Sequence, residues 1–227
     1  MSTSDFREMP QEERLRHVQS ILAQYHAARE RSPYLEAYKE AEAGYWYPLL
    51  SVLDAALGSG SKKVLDIGTA YGTLLLYSVL WGNEGFGIDM TDAYWSKELE
   101  AEYPISWSKT NIEAEAVPWP HSFDVVIFTE VLEHMNYNPV PVFHKIHQCL
   151  IPGGLLLIST PWSRHYTPNH RWPDVFDLPY YQEGNAFVDA ECKYYTIDEL
   201  VALSLHTGFS IQFLQLYHGH LLAGLVK

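Results

Sequence analysis

The chain has 227 residues, 47% of them hydrophobic, enough for one complete domain with a substantial core and short for two. Its 15 Lys and Arg against 28 Asp and Glu leave a formal net charge of −13, which repels a phosphate backbone at long range and disfavours nucleic acid as a partner. Cys149 and Cys192 form no CxxC pair, no secretory signal precedes them and no apolar run nears the ~20 residues of a membrane span, so a cytoplasmic protein without disulfides, cysteine-rich zinc site or membrane partner is expected.

Leu15, Val18, Leu22 and Tyr25 recur at three- and four-residue spacing among charged residues, which predicts an amphipathic helix ended by Ser32-Pro33. A second helical stretch, about Leu35 to Ala43, leads to Tyr45-Trp46-Tyr47-Pro48. A third runs from about Leu49 to Leu57 and stops at Gly58-Ser59-Gly60. Residues 1–60 thus read as a helical cover in front of a domain at 61–227.

From Lys62 the period changes. Apolar runs at Val64–Ile67 and Phe86–Ile88 alternate with helical patterns at Thr73–Leu80 and Tyr94–Glu102. This is the βαβ rhythm of a parallel sheet. It continues through Ile105–Lys109, Val125–Phe128, a helix at Val140–Leu150 and Leu155–Ser159. After a helix at Ile197–His206, the runs Ser210–Tyr217 and Leu221–Val226 are separated by a tight turn and must pair antiparallel. The expected sheet has five parallel strands closed by a terminal hairpin.

Val64-Leu65-Asp66-Ile67-Gly68-Thr69-Ala70-Tyr71-Gly72 puts an acid on the last turn of the first strand, before small residues that let a ligand approach the backbone. The spacing is not that of the dinucleotide fingerprint, and a carboxylate here suits a cationic amino group better than a pyrophosphate. Asp89 ends the second strand 21 residues after Gly68, where an acid can accept hydrogen bonds from both hydroxyls of a ribose. Together the two acids describe an adenosine carrying an amino acid.

With Asn111-Ile112, Val117-Pro118-Trp119-Pro120, Phe123-Asp124-Val125-Val126 and Leu150-Ile151-Pro152-Gly153-Gly154 following in order, residues 62–227 resemble the class I S-adenosylmethionine-dependent methyltransferases, of the ubiquinone or small-molecule O-methyltransferase kind. The resemblance implies a Rossmann-like, seven-stranded, mainly parallel α/β sheet with a C-terminal antiparallel hairpin and an N-terminal helical extension. It also implies that S-adenosyl-L-methionine is held by Asp66, Gly68, Ala70 and Gly72 at the methionine end. Asp89 and Met90 would take the ribose and adenine, Asn111 and Ile112 the adenine edge, and Glu130 would cap the loop over the cofactor. Ala70 and Asn111 depart from the family's usual glycine and aspartate.

Phe128-Thr129-Glu130-Val131-Leu132-Glu133-His134 leaves the fourth strand at the sheet edge where ligands sit. If the segment is helical, Glu130, Glu133 and His134 share one face. By resemblance to ubiquinone-type and small-RNA 2'-O-methyltransferases they would hold a divalent ion (Mg, Mn or Fe), with a further histidine from beyond the fifth strand. Otherwise they fix the loop by hydrogen bonds. His17 and His26 are expected on the charged faces of the first helix, and His121 in a loop. His144 and His147 are expected on a surface helix, and His218 and His220 as solvent-facing turn residues.

Between the fifth strand and the helix at Ile197, residues 162–195 form a 34-residue connection with nine aromatics. Its length suggests a lid or pocket wall over the acceptor. Tyr45, Trp46 and Tyr47 would face Trp162, Tyr166, Trp172, Tyr180 and Tyr181 across a small hydroxylated acceptor. His134, His165 and His170 are the candidate bases. The expected function is S-adenosylmethionine-dependent O-methylation of a small molecule. The alternatives are a metal-dependent RNA 2'-O-methyltransferase and a catalytically silent cofactor-binding regulatory partner. No residue pattern specifies an oligomeric state.

Overall fold

The computed structural model describes residues 2–26, 32–120, 122–165 and 174–227. Four helices come first: α1 (Thr3–Glu8), α2 (Gln11–His26), α3 (Ser32–Tyr45) and α4 (Tyr47–Leu57). Ser2 and Asp5 form a reciprocal capping box on α1, and Pro48 sits in the first turn of α4, where a missing N–H costs nothing. The sheet follows as β1 (Lys63–Ile67), α5 (Thr73–Leu80), β2 (Glu84–Asp89), α6 (Glu98–Glu102), β3 (Ile105–Lys109), β4 (Phe123–Thr129), α7 (Val140–Cys149) and β5 (Leu150–Pro161). The chain then runs through α8 (Ile197–His206), β6 (Ser210–Tyr217) and β7 (His220–Val226).

The seven strands are ordered β3-β2-β1-β4-β5-β7-β6. Pairing is parallel from β3 to β5 and antiparallel at β5–β7 and β7–β6, so the expected hairpin inserts its second strand into the sheet. The order reverses between β1 and β4. In an open α/β sheet the crevice beyond the carboxyl ends of those strands is where a ligand is received.

Helices cover both faces of the sheet. On one, Leu15, Val18, Leu22, Leu49, Leu50, Leu53 and Leu57 of the amino-terminal helices share a core with Val64, Val125, Ile127 and Leu157. Arg14 ties this cover down, donating from Nε to the Tyr77 hydroxyl at 2.7 Å and pairing with Asp54 at 2.5 Å. On the other face Leu65, Val126, Phe128, Leu156 and Ile158 pack with Phe143 and Ile146 of α7 and Leu200 and Leu203 of α8. Among the described residues no helix is long and apolar enough to cross a membrane.

Three local expectations change. The helix expected from Tyr94 begins only at Glu98, because the preceding loop turns Trp95 inward to stack on Trp107, with ring centroids 5.4 Å apart and planes at 8°. His26 is buried edge-on against Tyr71 rather than solvated. His220 is also buried, at the start of β7, while its neighbour His218 is exposed as expected.

Candidate active site

The turn after β1 is held by the strand beside it. Gly68 and Thr69 donate their N–H groups to the Ile88 carbonyl, at 2.8 and 3.2 Å. Asp89 accepts the Ala70 N–H on Oδ2 at 3.0 Å and the Thr91 N–H on Oδ1 at 2.9 Å. Trp107 Nε1 donates to Thr69 Oγ1 at 2.9 Å, which seats the stacked indoles beneath the turn. Gly68 has φ +76°, and a Cβ there would lie 2.3 Å from Val131 Cγ2. Ala70, standing where a glycine is usual, keeps the left-handed conformation at φ +43°, a strained choice for an L residue.

This turn forms one wall of a cavity of about 250 Å3. Gly68, Ala70, Asp89, Met90, Asn111, Ile112 and Glu130 line it, seven of the nine residues expected around the cofactor. Asp66 and Gly72 do not. Asp66 lies one layer deeper, 4% exposed, and Gly72 caps α5 in the left-handed conformation against Trp95. Among the described residues the main cavity carries four carboxylates, from Asp89, Glu113, Glu130 and Asp189, and its lining includes no lysine or arginine. Burial raises the pKa of Asp89 above the ordinary carboxylate value, and its two backbone donors oppose the shift.

Below it, Tyr38, Glu42, Trp46, Asp66, Gly68, Thr69, Thr73, Leu74 and Thr129 enclose a compartment with about 10 Å3 of free space, and Tyr38 and Gly68 line both. Burial, with Asp89 and Glu42 nearby, pushes Asp66 up to about 8, and burial pushes Glu42 up to about 7. Glu42 is 1% exposed and nothing in the sequence marked it, since an acid on an amphipathic helix usually faces water.

The Glu130–His134 segment is not a helix with a shared face. Glu130 takes a left-handed conformation at φ +53°, and only Leu132–His134 make a single 3-10 turn. The carboxylates consequently part. Glu130 meets His220 Nδ1 at 3.1–3.2 Å, while Glu133, 2% exposed, accepts from Thr160 Oγ1 at 2.9 Å. Burial and the Glu130 charge raise Glu133 well above the usual range. Among the described residues no group of three or more His, Cys, Asp or Glu side chains could hold a metal ion. The described residues therefore give no support to the divalent site expected on Glu130, Glu133 and His134.

Of the candidate bases, His134 lines the cavity, with Nε2 4.0 Å from Glu133 Oε1. His165 is exposed and lies over Gly219, away from the lining, and His170 lies outside the described residues, as does His121. The expected aromatic wall is largely elsewhere. Tyr47 packs into the amino-terminal core, and Trp162 against the core of the opposite face. Tyr180 and Tyr181 flank a separate cavity of about 170 Å3 with Tyr137, while Trp46 belongs to the deep compartment. Tyr166, Trp172 and the Tyr45 side chain lie outside the described set. Among the described residues, Tyr38 from α3 and Asp189 from the 162–195 connection reach the main cavity.

Residues 16–212 match the family model described as a methyltransferase domain. A ubiquinone biosynthesis O-methyltransferase of Azotobacter vinelandii is 36% identical over 103 residues, 44% of each chain, and one of Azoarcus sp. is 36% identical over 115 residues, 49% of each. The chain thus spans about half the length of the curated relatives it matches. In fold it is similar to a 1,6-didemethyltoxoflavin-N1-methyltransferase of Burkholderia thailandensis, solved with that compound and S-adenosylhomocysteine bound (TM-score 0.61, 18% identity, 96% of this chain and 90% of that one). A Listeria monocytogenes protein described as a putative S-adenosylmethionine-dependent methyltransferase gives a TM-score of 0.62 at 19% identity, covering 82% and 98%.

Proposed function

Because this chain belongs to the class I S-adenosylmethionine-dependent methyltransferases, we propose that it transfers the methyl group to a hydroxyl of a small, uncharged or cationic acceptor. The observation that carries this reading is the main cavity, acidic, partly apolar and, among the described residues, without a lysine or arginine in its lining. Such a pocket repels phosphates and carboxylates and suits a compact acceptor. The RNA reading rested on the divalent site and loses its support with it, and the O-methyltransferase relatives favour an active enzyme over a silent binding partner.

The lining fits the cofactor. Asp89 stands where ribose hydroxyls can donate to it, and Ile112, Ile88 and Met90 supply apolar surface for a flat base. At Gly68 a close backbone approach is kept open by the absence of a side chain. S-adenosylmethionine, when bound, supplies an activated methyl on a sulfonium. The protein's part is alignment, exclusion of water and removal of the acceptor proton. His134, the described histidine that lines the cavity, takes that proton.

The test is an S-adenosylhomocysteine-release assay over phenolic, catecholic and aliphatic hydroxyl acceptors, amines and small RNAs, with the product atom assigned by NMR. Transfer to oxygen of a small neutral or cationic acceptor, and a His134→Ala variant with kcat lowered 100-fold or more and cofactor affinity within twofold, are expected. Transfer only to RNA or only to nitrogen, or an unchanged kcat in His134→Ala, overturns the reading.

A further inference from the structure

We propose that the cavity beside Tyr137, Tyr180 and Tyr181 is a binding site for one uncharged aromatic ring, such as that of a phenol, carried by a small molecule other than the methyl acceptor.

The free space there is about 170 Å3. A cavity of about 150 Å3 is enough for one benzene ring. Pro141 and the buried Val142 of α7 supply apolar surface, and the three tyrosines supply rings. Two of those rings are fixed before any ligand arrives. Tyr181 meets Tyr137 edge-to-face at 5.4 Å and stacks on Phe187 at 5.2 Å, and the Tyr137 hydroxyl donates to the Ala186 carbonyl at 2.6 Å. A preset aromatic wall needs little ordering on binding, and it favours a ring that can pack edge-to-face over a saturated group of the same size.

The polar groups of the lining are already engaged. Lys145 Nζ donates to the carbonyls of Ile112, Glu113 and Glu115 at 2.6, 3.2 and 2.7 Å. Glu113 accepts the Asn136 N–H on one carboxylate oxygen at 3.1 Å and the Tyr137 N–H on the other at 2.8 Å. Asn138 accepts the Val140 N–H at 3.0 Å and donates to the Leu178 carbonyl at 3.3 Å. The two charges also cancel any preference for sign. A cation in the cavity would face the Lys145 ammonium and an anion the Glu113 carboxylate, so a neutral ring is the occupant that neither repels.

Glu113 lines both this cavity and the main one, and the wall between them is built from two segments. Residues 134–138 give His134 and Met135 to the main cavity and Tyr137 and Asn138 to the other, while the 162–195 connection gives Asp189 to the first and Tyr180 and Tyr181 to the second. Asn136 joins the segments, donating to the Val188 carbonyl at 3.1 Å and accepting the Val188 N–H at 2.8 Å, and the Asn138 N–H donates to the Pro179 carbonyl at 2.9 Å. This hydrogen-bonded wall separates a ring held at the tyrosines from the main cavity. The occupant is therefore a separate molecule and not the tail of an acceptor.

The experiment is a ligand-observed NMR titration of the full chain with phenol, cyclohexanol, benzoate and benzylammonium, each with and without saturating S-adenosylhomocysteine. Phenol is expected to bind at least fivefold more tightly than the other three, with S-adenosylhomocysteine changing its affinity less than twofold. Tyr180→Ala and Tyr181→Ala should each weaken phenol fivefold or more and leave S-adenosylhomocysteine within twofold. No binding of phenol, comparable binding of cyclohexanol or of either charged probe, or displacement of phenol by S-adenosylhomocysteine overturns the site. Phenol affinity unchanged in both variants overturns it as well. Tyr180 is 56% exposed, so its truncation spares the core, and the four-probe comparison on the wild type stands even if Tyr181→Ala does not fold. Failure to bind S-adenosylhomocysteine would strike the cofactor reading alone, and the tyrosine variants would still decide the site.

Discussion

Asp89 is asked to hold two backbone amides and a ribose at once, so its loss should be felt twice. A charge-assisted hydrogen bond contributes about 1.5–3 kcal/mol. Asp89→Ala is expected to weaken S-adenosylhomocysteine at least tenfold in calorimetry and to lower the melting temperature as Ala70 and Thr91 lose their acceptor. Asp66 makes the complementary case, because its folded-state pKa of about 8 lies above the ordinary value of 3.8. A carboxyl raised on folding contributes its stability fully below the unfolded value and loses it as pH rises through the folded one. The ligand-free protein should therefore lose melting temperature between about pH 4 and pH 8, with Glu42, raised to about 7, adding to the slope. Asp66→Asn should flatten it; an unchanged slope would show that Asp66 is ionised in the free protein.

At the scale of elements, the site depends on turns that only certain residues can make. Gly68→Ala adds a Cβ 2.3 Å from Val131 Cγ2 at a positive φ, and either the turn or the Glu130 segment must shift. We expect a destabilisation of about 1–3 kcal/mol by chemical unfolding, with cofactor affinity lost beyond that. The strands and their order of occurrence were legible because apolar runs between helical periods admit few alternatives, and the place of Asp89 at the cavity because it ends a strand. The segment after β4 was not legible, since Glu-x-x-Glu-His reads as one helical face unless it is known that Glu130 turns left-handed towards His220. His220 itself looked like a turn residue, for its only sequence neighbours of note are Gly219 and His218. Glu42 was hidden for the opposite reason, as one acid among several on a helix whose buried side depends on the packing of α3 over the sheet. The aromatics of 162–195 gave composition without direction, and two of them pack on each other, Tyr181 stacking on Phe187 at 5.2 Å.

Over the whole molecule, the amino-terminal helices are part of the same core as the sheet, not an appendage. Leu50, fully buried between α4 and the sheet, should cost about 2–5 kcal/mol on replacement by alanine, measurable by urea unfolding. The separation of Glu130 from Glu133 leads to a further expectation, that methyl transfer persists at full rate in excess chelator; abolition of activity that Mg²⁺ or Mn²⁺ restores would reinstate a metal role. The sheet order also has a kinetic consequence. β7 is synthesised after every other strand, yet it lies between β5 and β6 and pairs with both. Until it arrives, the apolar Leu155–Ile158 stretch of β5 presents an unpaired edge to other chains, the template from which strands associate wrongly. A nascent or refolding chain is thus most vulnerable to aggregation in the interval before its last strand is available, and the Glu130–His220 contact can form only when that interval closes.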